Sequence, residues 1–424
     1  LEATLCSLHE CGQKDLTHCM LYLAKTEPAS FHMKPTKDNT YCAYPFRSVM
    51  YLNFDGNIPK SAWPCCFIGG WGIDPKIYEN VLTNIEEKTP QEIFDSDVYK
   101  QLRHDLSNNI RNPLCSVCWD QEDRGLDPPR FYSQDPFYPE DGDISNFYLK
   151  VDNECNLGCR SCNPTNSSYL GKEWNTVKTS RAEGSLAYEW LLENTHKIKI
   201  LSIIGGEPFF SKKFYEIVDR YIETGDCKNT KIKVDTNGTL FNKTIIEKLN
   251  EFKHFQTSIS IDSVDDNYEY IRHPFKFRRL EDSIDTLLTH STNLDFVVIP
   301  VVLSSLNINH LKRLEEWCRI TFRNNFKIFY SELWDRKMGI SIENLSDEIL
   351  NVGIKDAESL DDKYSDKSRA IQFYKSALNS EPDRQKMLRE IVLFDQKRKQ
   401  SYKDFIDPHL TKWLYESELR QTRP

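Results

Sequence analysis

The sequence lacks the features that would place it in a membrane, outside the cell or on nucleic acid. Its best candidate for a membrane span, LDFVVIPVVL at 294–303, has ten residues, whereas a spanning helix needs about 20. The first residues do not follow the basic, apolar and small-residue order of a secretory signal, so we expect a cytoplasmic protein in a reducing compartment.

Positive charge is not in excess, since the chain has 55 Lys and Arg residues and 64 Asp and Glu residues, for a net charge of −9. The basic stretch RHPFKFRR at 272–279 is interpreted as a solvated face, and we expect neither nucleic acid nor a membrane among the partners.

Cysteine, by contrast, is plentiful and grouped. The chain has 13 cysteines, and in a long cytosolic chain grouped cysteines indicate metal binding more often than disulfides. Cys155, Cys159 and Cys162 form the pattern C-x3-C-x2-C. A structural zinc site takes four ligands, and no fourth cysteine or histidine lies nearby in the sequence. The spacing therefore favours a cubane iron–sulfur cluster that is bound at three irons and open at the fourth.

From residue 147 onward, short apolar runs alternate with amphipathic stretches. The predicted strands are 147–152, 198–204, 231–236, 256–262, 295–303 and 326–333, and the predicted helices are 183–194, 211–223, 242–251, 278–290 and 309–321. This alternation predicts an α/β fold with a parallel sheet, either open and doubly wound or part of a (β/α) barrel. Both architectures place functional residues at the carboxyl ends of the strands. The triple cysteine begins three residues after the first predicted strand.

The composition divides the chain into four segments. They are a leader or flexible segment at 1–40, a small cysteine-rich β-hairpin module at 41–130, the βα series at 145–335 and a helical C-terminal extension at 340–424. The hairpin is predicted from alternating apolar and polar residues around Asp55-Gly56, a strong turn signal. The extension is predicted to be helical because its apolar residues recur three and four positions apart.

The segment CNLGCRSC at 155–162 resembles the signature of the radical S-adenosylmethionine (SAM) enzymes. In that family the cysteines occupy the loop after the first strand of a partial (β/α)6, TIM-like barrel. The resemblance implies that Cys155, Cys159 and Cys162 bind a [4Fe-4S] cluster whose open iron chelates SAM. It also implies reductive cleavage of SAM to a 5'-deoxyadenosyl radical that abstracts hydrogen from a substrate.

A second match to the family lies at the end of the next predicted strand, in IIGGEPFF. Gly205 and Gly206 would let the backbone approach a ligand closely, and the Glu207 carboxylate could receive an ammonium group. In relatives, polar side chains at the ends of the next two strands contact SAM. The resemblance therefore makes Asn237 and Ser260 candidate SAM contacts, with Ser260 expected at the ribose.

The N-terminal cysteines resemble the auxiliary-cluster domains called twitch or SPASM, here placed before the barrel. The resemblance implies that Cys42, Cys65, Cys115 and Cys118 hold a second iron–sulfur cluster, with Cys65 preferred over Cys66 because it directly follows a proline. Four thiolates leave no open iron. A zinc site on the same cysteines is the alternative.

The predicted function is that of a radical SAM enzyme that modifies a peptide or protein. The alternatives are a radical SAM dehydrogenase or epimerase of a sugar or other small molecule and, in another class, a noncatalytic iron–sulfur or zinc scaffold. The expected partners are a peptide or small-molecule substrate and an electron donor such as flavodoxin or ferredoxin. No catalytic residue is assigned beyond the cofactor ligands.

Overall fold

The computed structural model describes residues 35–65, 68, 85–123, 125, 127–133, 142–176, 178–333 and 338–421. The strands are β1 Ser48–Asp55, β2 Ile58–Trp63, β3 Asn146–Lys150, β4 Ile200–Ile204, β5 Lys231–Thr236, β6 His254–Ile259, β7 Leu294–Leu303 and β8 Phe326–Glu332. They form one eight-stranded sheet in the order β2-β1-β3-β4-β5-β6-β7-β8. All neighbouring pairs are parallel except the β1–β2 hairpin. The sheet is not closed, and the predicted α/β fold with a partial, TIM-like parallel barrel is confirmed.

Helices occupy the connections and the C-terminal region. They are α1 Pro90–Phe94, α2 Asp97–Ser107, α3 Ser116–Asp123, α4 Ser168–Glu173, α5 Leu186–Glu193, α6 Lys212–Thr224, α7 Lys243–Leu249, α8 Asp265–Ile271, α9 Phe277–His290, α10 Leu311–Phe322, α11 Asp347–Glu358, α12 Lys367–Ala377, α13 Arg384–Arg398 and α14 Pro408–Gln421. The six strands and five helices predicted from 147 onward are all present, with ends displaced by at most three residues. None of the described helices combines the length and apolar character needed to cross a membrane.

The helix α6 illustrates how the local sequence defines an element. It begins after Ser211, whose hydroxyl accepts a hydrogen bond from the Lys213 amide at 3.2 Å, and it ends at Gly225, whose φ of +78° is readily adopted by glycine. Its buried residues recur at helical spacing, so one face packs against the sheet; they are Phe214, Ile217, Val218 and Tyr221.

The N-terminal hairpin extends the same sheet. Gly56, with a φ of +59°, forms the predicted turn between β1 and β2. The strand β1 then pairs in parallel with β3, from Ser48 opposite Asn146 to Tyr51 opposite Leu149. The hairpin thus covers the edge of β3 that would otherwise expose unpaired backbone groups. The division of the chain into four domains stays a prediction.

The hydrophobic core lies between the sheet and its helices. Along β3, Phe147 and Leu149 are fully buried on the core side, whereas Tyr148 between them is half-buried on the opposite face, as the twofold alternation of a strand requires. A second, smaller cluster surrounds the N-terminal cysteines; it comprises Cys42, Trp63, Ile68, Leu102, Leu106, Leu114, Cys118 and Trp119.

Candidate active site

The triple cysteine lies on the loop between β3 and α4, at the carboxyl edge of the sheet. We call residues 155–162 the cysteine loop. Its backbone is held from one side by the end of α8 and the residues that follow, since the Gly158 and Arg160 amides each donate at 2.8 Å, to the carbonyls of His273 and Ile271 respectively. The amide of Cys162 donates to the Cys159 carbonyl at 3.0 Å. These bonds fold the loop into a compact turn, in which the Cys159 and Cys162 thiols are close enough to Cys155 to raise its pKa.

Hydrogen-bond donors lie beside two of the three sulfur atoms. The Leu157 amide is 3.4 Å from the Cys155 sulfur, and Nη1 of Arg272 is 3.7 Å from the Cys159 sulfur. Burial raises the pKa of Cys162 to about 12, and the neighbouring Cys159 thiol adds to the shift. Buried thiols of this kind ionise when a metal centre supplies the compensating positive charge.

Two buried polar atoms near Cys159 have no hydrogen-bond partner among the described residues. They are Nε of Arg272 and the hydroxyl of Tyr268. The Arg272 charge acts to lower the pKa of Cys159, and Cys159 in turn acts to raise the pKa of Tyr268, so both residues lie close to this cysteine. Within the described ranges, no three Cys, His, Asp or Glu side chains converge on the position of a single metal ion. A cubane cluster is ligated at separate irons, and the donor set of three thiols with adjacent cationic and polar groups fits such a cluster.

The glycines that follow β4 allow the backbone there to contact the residues just before the cysteine loop. A Cβ atom on Gly206 would lie 2.4 Å from the carbonyl oxygen of Glu154, far inside van der Waals contact. The Gly206 amide donates to the Asp152 carbonyl at 2.9 Å, and the Glu207 amide donates to the Glu154 carbonyl at 2.7 Å. Gly206 is therefore required for close packing between the two loops, whatever ligand they meet.

Glu207 is fully buried and joins the ends of β4 and β5. Its carboxylate accepts hydrogen bonds at 2.7 Å from the Thr236 hydroxyl and at 2.7 Å from the Asn237 amide. Burial raises the pKa of Glu207 to about 7, while these hydrogen bonds act in the opposite direction. Both carboxylate oxygens already have partners within the chain, and the contact of Glu207 with the ammonium group of SAM stays a prediction.

A second group of cysteines surrounds a pocket in the N-terminal region. Cys42, Cys65, Cys115 and Cys118 all line it, and about 380 Å³ of space between its walls and at its mouth is free of protein atoms. Burial raises the pKa of Cys118 to about 12, and the cationic Arg130 partly offsets this shift. The other residue considered from the sequence, Cys66, lies outside the described residues.

Comparison with known proteins identifies both regions. Residues 150–318 match the family model of the radical SAM superfamily, and residues 42–119 match the SPASM model, described as an iron–sulfur cluster-binding domain. The two matched regions are a radical SAM domain and, before it in the chain, a SPASM domain. These two domains imply a [4Fe-4S] cluster with SAM and an auxiliary iron–sulfur cluster, which confirms the predicted cofactors.

The individual relatives cover only parts of the chain. Two uncharacterized proteins of Methanocaldococcus jannaschii are 31% and 23% identical over 181 and 175 residues, or 42% and 38% of this chain. The chain spans 58% and 38% of the lengths of these curated relatives. Among solved structures, anSMEcpe with bound AdoMet aligns with 48% of this chain and 56% of its own, at 17% identity and a TM-score of 0.36. SuiB from Streptococcus suis, bound to its precursor peptide SuiA, aligns with 63% of this chain and 52% of its own, at 14% identity and a TM-score of 0.32.

The predicted SAM contacts Asn237 and Ser260 lie directly after β5 and β6. The Asn237 side chain donates to the Asn156 side-chain oxygen at 2.9 Å and lies 4.0 Å from the Cys155 sulfur. Ser260 is half-buried, and its amide donates to the Thr236 carbonyl at 2.9 Å. Both residues are therefore placed at the same edge of the sheet as the thiols, and their contacts with SAM stay predictions.

Sequence reasoning missed Arg272, and the interpretation of 272–279 as a solvated face was wrong at this position. Arg272 is only 6% exposed, and its guanidinium pairs with Asp262 at 2.8 Å while it reaches the Cys159 sulfur. Lys276 and Arg278 in the same stretch do have exposed side chains, at 70% and 79%. The one local signal for a buried arginine is Asp262 in the segment SIDS, which directly follows β6. A carboxylate that is buried there requires a cation as its partner.

Proposed function

We propose that this chain is a radical SAM enzyme that modifies a peptide or protein substrate. When bound, the cluster and SAM together supply reductive cleavage of the sulfonium and a 5'-deoxyadenosyl radical that abstracts hydrogen from the substrate. The observation that carries the proposal is the meeting of the cysteine loop, the Gly205-Gly206 backbone and Asn237 at one edge of a parallel sheet. The combination of a radical SAM domain with a SPASM domain supports a peptide or protein as the substrate.

The chain's own residues would hold the cluster and bias it electrostatically. Cys155, Cys159 and Cys162 would bind three irons, and the cysteine loop fixes their relative positions. Arg272 would stabilise the thiolate of Cys159, since its positive charge favours that anion. Cys42, Cys65, Cys115 and Cys118 would ligate the auxiliary cluster completely.

The sheet face opposite the core offers polar groups to a substrate. The Tyr148 hydroxyl donates to the Asp235 carboxylate at 2.8 Å, and therefore reaches from β3 to β5 across β4. Lys150 follows on the same face and donates to the Asn166 side chain at 2.8 Å. Burial lowers the pKa of Lys150 to about 8. Such groups suit the amide and carboxylate groups of a peptide better than an apolar ligand.

Anaerobic reconstitution with iron and sulfide, followed by SAM and dithionite, tests the reaction class. We expect 5'-deoxyadenosine and methionine in equal amounts, with none from a variant in which all three cysteines of the cysteine loop are changed to alanine. Dithionite stands in for the cellular electron donor, which we propose to be a flavodoxin or ferredoxin. A protein that holds both clusters and binds SAM but never cleaves it would contradict the enzyme proposal and leave the noncatalytic scaffold.

The substrate class needs a separate test. Short peptides encoded beside the gene would be incubated with the reconstituted protein, and a mass change or hydrogen transfer from peptide to 5'-deoxyadenosine would support peptide modification. A panel of sugars and amines provides the comparison. Turnover of the small molecules alone would favour the dehydrogenase or epimerase.

A further inference from the structure

The C-terminal extension contacts the cysteine loop directly. Arg398, the last residue of α13, donates through Nη2 to the Gly158 carbonyl at 2.6 Å. The same guanidinium forms two hydrogen bonds with Glu173 on α4, at 2.9 and 2.7 Å. Its side chain is 1% exposed. Arg398 therefore links the middle of the cysteine loop to α4, the helix that follows the loop.

A second contact joins the loop to α13 by an ion pair. Arg160, between Cys159 and Cys162, is 1% exposed and its Nη2 lies 2.6 Å from the Asp395 carboxylate. The Asp395 carboxylate also accepts hydrogen bonds from the Tyr270 hydroxyl at 2.8 Å and the Tyr402 amide at 2.6 Å. Asp395 is 6% exposed. Because both charges are buried, neither can be removed without leaving the other uncompensated.

The loop is closely packed around these contacts. A Cβ atom on Gly158 would lie 2.6 Å from the Tyr169 ring and 3.0 Å from Nη2 of Arg398. On the other side of the loop, the Arg160 guanidinium lies over the Tyr270 ring at 3.7 Å from its centroid. The loop is therefore contacted both by the end of α8 and by the last turn of α13.

One donor of Arg398 remains available. Its Nη1 is buried and has no hydrogen-bond partner among the described residues, although Nε and Nη2 are both used. The Arg398 charge acts on Cys159 in the same direction as that of Arg272. A buried donor without a partner close to a proposed metal ligand is consistent with a further anionic group at that position.

We infer that α13 forms the outer wall of the SAM-cluster site, and that Asp395 and Arg398 are positioning residues for the cysteine loop. The loop has no helix or strand of its own between β3 and α4, so its conformational entropy must be offset by contacts from elsewhere in the chain. Asp395 and Arg398 supply such charged contacts from the C-terminal extension, outside the βα series. The inference rests on the cluster of the proposed function, and it is independent of the substrate.

The test compares Asp395→Asn and Arg398→Gln with Arg389→Gln, an exposed position on the same helix. Each reconstituted protein is mixed anaerobically with an iron chelator, and the loss of the SAM-cluster absorbance is followed over time. We expect iron release about 10- to 100-fold faster in the first two variants, the usual effect of losing a group that orients metal ligands. The control should release iron at the wild-type rate.

Hydrogen exchange of the cluster-free proteins gives a readout that needs no metal. Amides of the cysteine loop should exchange faster in Asp395→Asn and Arg398→Gln, while those of β5 stay protected as in the control. Arg398→Lys keeps the charge but not the fork of donors, and it should give an intermediate exchange rate. Equal acceleration in the loop and in β5 would show general destabilisation and overturn the inference, as would a loop that exchanges as it does in the control.

The two readouts separate this inference from the proposed function. A wild-type protein that makes no 5'-deoxyadenosine, with variants that still release iron faster and exchange faster in the loop, would defeat the function and leave the role of α13 intact. Normal SAM cleavage by the wild type, with iron retention and exchange unchanged in the variants, would defeat the role of α13 alone.

Discussion

Replacing Arg272 with glutamine should make the SAM cluster harder to reduce. The substitution removes a buried guanidinium whose Nη1 lies 3.7 Å from the Cys159 sulfur and leaves its ion-pair partner Asp262, 2.8 Å away in the native protein, without that cation. The loss of this one positive charge makes the surroundings of the cluster more negative. Since reduction adds an electron to the cluster, the reduction potential should fall.

The size of the effect follows from the geometry. Two unit charges 3.7 Å apart interact by about 4 kcal/mol at an effective dielectric constant of about 20. The added electron is shared over the whole cluster rather than held at the Cys159 sulfur, so its interaction with Arg272 is reduced to about 1–2 kcal/mol. For a one-electron couple, in which about 59 mV corresponds to a tenfold change, this amounts to roughly 40–90 mV.

The assay is an anaerobic redox titration followed by electron paramagnetic resonance. The SAM cluster is distinguished from the auxiliary cluster by the change that SAM addition produces in its spectrum. Arg278→Gln is the matched control, because Arg278 belongs to the same basic stretch but its side chain is 79% exposed. A potential for Arg272→Gln that equals that of the control, or is higher, would refute the reasoning.

Three further predictions concern the other parts of the site. The variant lacking all three cysteines of the cysteine loop should retain iron and an auxiliary-cluster spectrum, measured by iron analysis and spectroscopy; near-zero iron would contradict a second cluster. Gly206→Ala should lower the free energy of unfolding by about 1–3 kcal/mol, because its Cβ would lie 2.4 Å from the Glu154 carbonyl oxygen. Denaturation of the cluster-free protein measures this loss, and Gly205→Ala, whose Cβ would come no closer than 3.2 Å to a neighbouring atom, is the matched variant and should lose less stability; equal losses would show that the clash is not the cause. Because burial raises the pKa of Glu207 from 4.5 to about 7, the folded protein retains a proton that the unfolded chain loses, so this group's contribution to stability should decrease as the pH rises from about 4.5 to 7. Glu207→Gln should lack that slope in denaturation curves, and an unchanged slope would show that Glu207 does not titrate in this range.

The strand and helix positions were predictable because they depend on local patterns. The alternation of apolar runs with amphipathic stretches reflects residue spacing within a single element, and every element predicted after residue 147 is present. The hairpin turn at Asp55-Gly56 was predictable for the same reason, since a left-handed backbone favours glycine. The pairing of β1 with β3 was not, because it joins residues about a hundred positions apart that carry no local mark of each other.

The cysteine spacing and the Gly-Gly-Glu segment were enough to predict the class of reaction. The ability of thiolates to bind metal and the small size of glycine do not depend on the surrounding fold. Only the tertiary structure decided which charges surround the cysteine loop. Arg272 lies 113 residues from the cysteine it contacts, and Arg398 lies 240 residues from the glycine whose carbonyl it binds. In the sequence both are ordinary basic residues in polar stretches. Packing alone removes them from water, and burial is what makes a single charge strong enough to act on a neighbouring thiolate.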